Sequence, residues 1–160
     1  MIKQILLIFV RVSFLMTTPL FSQEIKVVNH EELQKAILRS DKQLTVVNYW
    51  ATWCMPCLAE LPYFSVVEKQ NKDDVRWVFV SFDRPKQIER MKEIIRKENL
   101  NGEFFLLDDL KNQKVWRSSI DENWFGAIPV TNFYKNRVKI LHHPSAFTLE
   151  ELTEVVQQLK

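Results

Sequence analysis

Two stretches of the chain are almost unbroken in their apolar character: Leu44 to Trp50, and Val75 to Phe82. Runs of seven or eight residues rich in β-branched and aromatic side chains, with little polar alternation, predict strands buried on both faces, as in the parallel centre of a sheet. Glu24 to Val28 and Phe104 to Leu107 are shorter strand candidates. Val130 to Tyr134 and Val138 to Leu141 flank Lys135-Asn136-Arg137, which predicts a hairpin with Asn136 in the left-handed conformation.

Between these strands the apolar period lengthens to three and four residues. Asn29 with Glu32 three positions on forms a capping box opening a helix to about Arg39, with Leu33, Ala36 and Ile37 on its buried face. A second helix is expected from Cys54 to about Gln70, with Pro56 tolerated in the first turn and Pro62 bending the interior. Asp83-Arg84-Pro85 opens a third, to about Asn99, whose Ile88, Met91, Ile94 and Ile95 point inward while its Lys, Arg and Glu residues form a solvated face. Asp109 to Ser119 reads as a fourth helix, and Thr148 with Glu151 caps a last one through Leu159. Strands alternating with helices, closed by a hairpin and a helix, predict an α/β fold with a central mixed sheet.

Composition narrows the function classes. The chain has 160 residues, 46% hydrophobic and 26% charged, which suits one folded domain. Its two glycines leave no room for a glycine-rich phosphate loop. Residues 1–22 have the pattern of an export signal: basic Lys3, apolar Ile5 to Val10 and Val12 to Leu15, and small Ser22 before a cleavage point, which leaves 23–160 as the working domain. An uncleaved membrane anchor is the alternative, disfavoured because Arg11 interrupts the apolar stretch well short of the roughly 18 residues a span needs. Removing Lys3 and Arg11 from the 22 bases leaves 20 against 20 acids, a balance that gives no electrostatic case for nucleic acid.

The only two cysteines stand in Trp53-Cys54-Met55-Pro56-Cys57, at the junction of the first long strand with its helix. C-x-x-C spacing lets the sulfurs close a small disulfide ring, and a helix N-terminus supplies unpaired N–H groups and a positive dipole end that favour the first thiolate. Cys54 is thus the candidate nucleophile and Cys57 the resolving thiol. Outside the cytosol such disulfides form and persist.

The stretch from Val46 through Cys57 resembles the thioredoxin superfamily, and within it the exported thiol–disulfide oxidoreductases of the TlpA and ResA type. The resemblance extends over nearly all the chain after Ser22. It implies a thioredoxin-like fold with a strand–helix insertion between about Val75 and Leu107, and a monomer that needs no cofactor. The expected activity is reduction of disulfides in exported proteins, in cytochrome c maturation or redox homeostasis, with a transmembrane electron donor and a periplasmic or otherwise extracytoplasmic location.

By the same resemblance, Pro129 matches a cis-proline lying against the cysteine pair, with the Ile128 backbone free to pair with an incoming peptide. Trp53, Met55 and Pro56 would help shape the approach. Glu60 matches an acid three positions after the second cysteine which, partly buried, would have a raised pKa and accept the Cys57 proton. Asn48 stands where minimal thioredoxins keep a buried acid, leaving proton relay to Glu60. Val130 in place of a threonine, Asn132 within an apolar strand and the lack of a glycine after the hairpin depart from the pattern and bear on the peptide groove.

Three other readings compete. Cys54, Cys57 and a histidine of the pair His142-His143 could bind zinc or copper, although adjacent residues on an extended strand point to opposite sides. A peroxiredoxin-like peroxidase would want a threonine where Ala51 stands. A purely structural C-x-x-C disulfide would close too short a loop to constrain much chain.

Overall fold

The computed structural model describes residues 24–39 and 42–160. The expected export segment, residues 1–22, lies outside them, as do Ser40 and Asp41 of the turn before the first long strand. Among the described residues, six strands and five helices follow in the order β1 (Ile25–Val28), α1 (His30–Leu38), β2 (Leu44–Trp50), α2 (Met55–Asn71), β3 (Val75–Ser81), α3 (Ile88–Lys97), β4 (Glu103–Leu107), α4 (Gln113–Ile120), β5 (Val130–Lys135), β6 (Val138–His143) and α5 (Leu149–Leu159). Short 3₁₀ turns at Pro85–Gln87 and Leu110–Asn112 lead into α3 and α4, so these two helices begin a turn later than the polar-to-apolar pattern predicts.

The strands form one sheet in the order β1-β4-β3-β2-β5-β6. β1, β4, β3 and β2 run parallel, β5 pairs antiparallel with β2, and β6 pairs antiparallel with β5. The expected strand–helix insertion is visible as α3 and β4, with β4 entering the sheet between β3 and β1.

The continuous apolar run of β2 serves two cores. Leu44, Val46 and Trp50 face one side with residues of α2, α3 and α5, while Val47 and Tyr49 face the other with α1 and α4. Every residue of β2 is buried, which is why no alternation shows in its sequence. The even positions of β2 also carry Asn48 onto the α2 side, and that placement matters below.

Both capping boxes form, at Asn29 with Glu32 and at Thr148 with Glu151. α2 continues through Pro62 to Asn71. The hairpin differs from expectation in one respect: Arg137 as well as Asn136 is left-handed, with φ of 67° and 51°. A two-residue turn matched to the right-handed strand twist needs positive φ at both central positions. Among the described residues no helix is long and apolar enough to cross a membrane.

Candidate active site

β2 ends at Trp50, and the chain turns at once, the Cys54 N–H donating to the Ala51 carbonyl at 3.1 Å. Cys54 is then the N-cap of α2, with Pro56 in the first turn where its missing N–H leaves no intrahelical bond unmade. Cys54 and Cys57 are joined in a disulfide, their Cα atoms 5.3 Å apart. The Cys57 N–H points at Cys54 Sγ at 3.3 Å, a donor in place to stabilise negative charge on that sulfur once the bond is reduced.

The two sulfurs differ in access: Cys57 is wholly buried and Cys54 is 5% exposed. Around them Trp53 and Met55 are 62% and 74% exposed, and Pro56 is exposed too. The Ile128–Pro129 peptide bond is cis, and the Ile128 carbonyl oxygen lies 3.6 Å from Cys54 Sγ. Pro129 is buried and Ile128 half-buried beside the disulfide.

Glu60 is 1% exposed, more deeply buried than the sequence suggests. It stands three residues after Cys57 on α2, a spacing that puts both side chains on one helix face. Its two oxygens are held separately: Asn48 Nδ2 donates to Oε1 at 2.8 Å, and the Phe147 N–H donates to Oε2 at 2.8 Å. Burial raises the Glu60 pKa to about 7, and these two donors keep it from rising further.

Asn48 also donates to Thr131 Oγ1 at 3.1 Å, while its own Oδ1 is buried without a partner. Turning that amide by 180° would present Oδ1 to Glu60 Oε1, which is the acceptor a protonated carboxyl needs. Asn48 can therefore serve both protonation states of Glu60.

A buried carboxylate braces the other side of the loop. Asp83, two residues past the end of β3, accepts from the Thr52 N–H at 2.8 Å, Thr52 Oγ1 at 2.7 Å and Ser81 Oγ at 2.7 Å. Thr52 lies two residues before Cys54, so the insertion side of the sheet fixes the approach to the thiol. Asp83→Ala leaves these donors without their acceptor, and we expect it to lower unfolding stability by about 3 kcal/mol, read as a lower urea midpoint at unchanged slope.

The histidines of the metal alternative are engaged elsewhere. His142 Nδ1 is 2.7 Å from Asn132 Oδ1, and His143 stacks on Phe147 at 3.8 Å between ring centroids. Among the described residues no three His, Cys, Asp or Glu side chains form a metal-binding group. Asn132, which breaks the apolar pattern of β5, donates its Nδ2 to the Ile120 carbonyl at 2.9 Å, so its polar atoms are paired within the fold.

Comparison with known proteins gives this geometry a lineage. A family model described as thioredoxin-like matches residues 41–129, more than half of the chain and all of the loop around the cysteines. The chain belongs to the thioredoxin-like family. It is 36% identical over 63 residues to the thiol-disulfide oxidoreductase ResA of Oceanobacillus iheyensis, a match covering 38% of this chain and 33% of that protein. It is 34% identical over 58 residues to sporulation thiol-disulfide oxidoreductase A of Bacillus subtilis, covering 36% of this chain and 35% of the relative. The matched region thus spans about a third of these relatives' length.

Among solved structures, this thioredoxin-like chain superposes on StoA of Bacillus subtilis with a TM-score of 0.56 at 22% identity, over 74% of this chain and 86% of that one. A secreted disulfide oxidoreductase of Mycobacterium tuberculosis gives a TM-score of 0.56 at 24% identity, over 72% and 81%. At these identities the likeness is one of fold.

Phe147 and Asp83 were not among the candidate site residues, Asp83 reading in the sequence only as part of a helix start. The Phe147 contact is made by a backbone N–H, which carries no residue signature. The Asp83 contact joins positions 31 residues apart, with no local motif between them.

Proposed function

We propose that this protein is an exported thiol–disulfide oxidoreductase that reduces disulfides in extracytoplasmic polypeptides. The observation that carries the reading is the Cys54–Cys57 pair at the N-terminus of α2, with Cys54 retaining a small exposed surface and Cys57 fully buried on the same helix face as Glu60. The names of the two relatives support the chemistry, and the N-terminal pattern of residues 1–22 supports export, with cleavage leaving 23–160 as a monomeric domain that needs no cofactor.

In the proposed cycle, the Cys54 thiolate attacks one sulfur of a substrate disulfide. The substrate S–S bond breaks, its other sulfur leaves as a thiolate that takes a proton from water, and a mixed disulfide forms on Cys54. Glu60 as carboxylate takes the Cys57 proton through the interior of the site. Cys57 then attacks Cys54 Sγ and expels the second substrate thiolate, which closes the Cys54–Cys57 disulfide. Two electrons have passed to the substrate. A transmembrane electron donor would restore the dithiol, and apocytochromes or other exported thiol proteins are the class of substrate.

Met55 and Pro56 place no charge or imidazole between the cysteines to over-stabilise the Cys54 thiolate, so the reading is of a reductase and not a strong oxidant. The test is turnover of a protein disulfide such as that of insulin, with a dithiol as electron source. Catalysis above the dithiol background that disappears in Cys54→Ser supports the reading. Turnover equal to that background in the full chain rejects it.

A further inference from the structure

A cleft of about 210 Å³ opens beside the redox loop, and Trp53 and Ile128 belong to its wall as well as to the surroundings of Cys54. Its floor is aromatic. Phe82 stacks on Trp116 at 5.2 Å and on Trp124 at 5.7 Å, and the two indoles are 6.1 Å apart. Both indole N–H groups are occupied by backbone carbonyls, Trp116 by Asp109 at 2.8 Å and Trp124 by Ala127 at 2.6 Å. The floor therefore presents ring faces and edges and offers a ligand no indole donor.

One wall is a guanidinium. The Arg117 Cζ lies 6.0 Å from the Trp116 ring centroid, and it would be only 3.3 Å from a Cβ at Gly126, so the bare glycine leaves the arginine its place along the cleft. A guanidinium beside stacked rings is a surface on which a further aromatic ring gains both dispersion and cation–π attraction. The volume is below the roughly 300–1,000 Å³ of sites that enclose a drug-sized molecule, which suits one side chain. Trp53 and Leu110, both exposed, also line the cleft and add apolar surface to it.

We propose that this cleft is a specificity subsite, taking one aromatic side chain of the polypeptide whose disulfide is reduced, a few residues from the cysteine that Cys54 attacks. The inference rests on the function proposed above. Continuity of the cleft with the Cys54 surroundings, through Trp53 and Ile128, determines the occupant: a side chain seated there belongs to the same polypeptide that presents its sulfur. The ring arrangement favours an aromatic over an aliphatic or acidic residue. In this account Phe82, Trp116, Trp124 and Arg117 select substrate and take no part in the exchange itself.

The test compares short peptides with an intramolecular disulfide that differ only in the residue flanking one cysteine, tryptophan, alanine or glutamate, using the reduced full chain and stopped-flow tryptophan fluorescence or thiol trapping. Cystamine, which has no peptide, reports the exchange reaction itself. The tryptophan peptide is expected to react about 10-fold or more faster than the alanine peptide, the scale of discrimination by one apolar pocket.

In Gln113→Trp, which fills the cleft from its own lining at the start of α4, that ratio is expected to fall to near one, and in Arg117→Ala to fall part of the way. Using a ratio removes any general loss of activity in a variant, and circular dichroism checks folding. Equal rates for tryptophan and alanine peptides while cystamine is reduced would overturn the subsite and leave the oxidoreductase reading standing, as would a preference for glutamate or a ratio unchanged in both variants. Failure to reduce cystamine or any peptide would overturn both.

Discussion

Cys57→Ser is expected to stop the cycle after its first half, with the protein accumulating as a stable mixed disulfide on Cys54, while Cys54→Ser gives neither turnover nor adduct. The asymmetry follows from access. Cys54 is the sulfur an incoming disulfide can reach, and Cys57 has no exposed surface from which to attack anything but Cys54. Without Cys57 the adduct can be released only by an external thiol, so turnover falls to the background set by that thiol. Non-reducing gels or intact mass measurement after incubation with a disulfide peptide check this. Equal adduct formation by both single variants would mean that the two sulfurs are equally accessible, against the burial described.

Glu60→Gln is expected to have opposite effects on activity and on stability. For activity, the wild-type rate of mixed-disulfide resolution should rise with pH as Glu60 ionises around its pKa of about 7, and the variant should lose that step of the profile. At pH 8 the loss is expected to be on the order of 10²-fold, the lower end of what a positioned general base supplies. Single-turnover kinetics on a preformed mixed disulfide isolate this step from the first.

For stability the sign is reversed. A carboxyl whose pKa is raised from 4.5 unfolded to about 7 folded binds more protons in the folded state across that interval, so folding is weakened as pH rises through it. The Glu60 contribution is fully retained below pH 4.5 and reaches its full penalty, about 3 kcal/mol at 1.36 kcal/mol per pH unit, above pH 7. Glutamine escapes this penalty. Asn48 can accommodate it by turning its amide so that the unpartnered Oδ1 accepts from the new side-chain N–H₂. Denaturant titrations at pH 5 and pH 8 should therefore show the variant gaining on the wild type at the higher pH, and a stability difference independent of pH would argue against a raised Glu60 pKa.

The buried β2 run, the helix start at Cys54 and the two capping boxes were legible because each depends on residues close in sequence. The pairing of Glu60 with Asn48 was legible only in outline. Their sequence positions imply complementary roles, but the 2.8 Å contact requires the β2 pleat to turn Asn48 to the α2 side. The aromatic cleft was not legible. Its rings come from positions 82, 116 and 124, on three segments brought together only by the sheet, and each alone reads as ordinary core. Arg137 escaped for a different reason. Turn geometry demanded positive φ from a residue type that gives no sign of it.

The central claim, that the Cys54–Cys57 pair reduces other disulfides, is tested most directly by its reduction potential. The full chain would be equilibrated in graded dithiol or glutathione buffers and its free thiols counted after alkylation with a mass tag. The account predicts a single reversible two-electron transition near about −220 mV or below, toward the reducing value of about −270 mV for thioredoxin. A transition near about −120 mV, where the oxidant DsbA lies, would contradict it and make the protein a donor of disulfides.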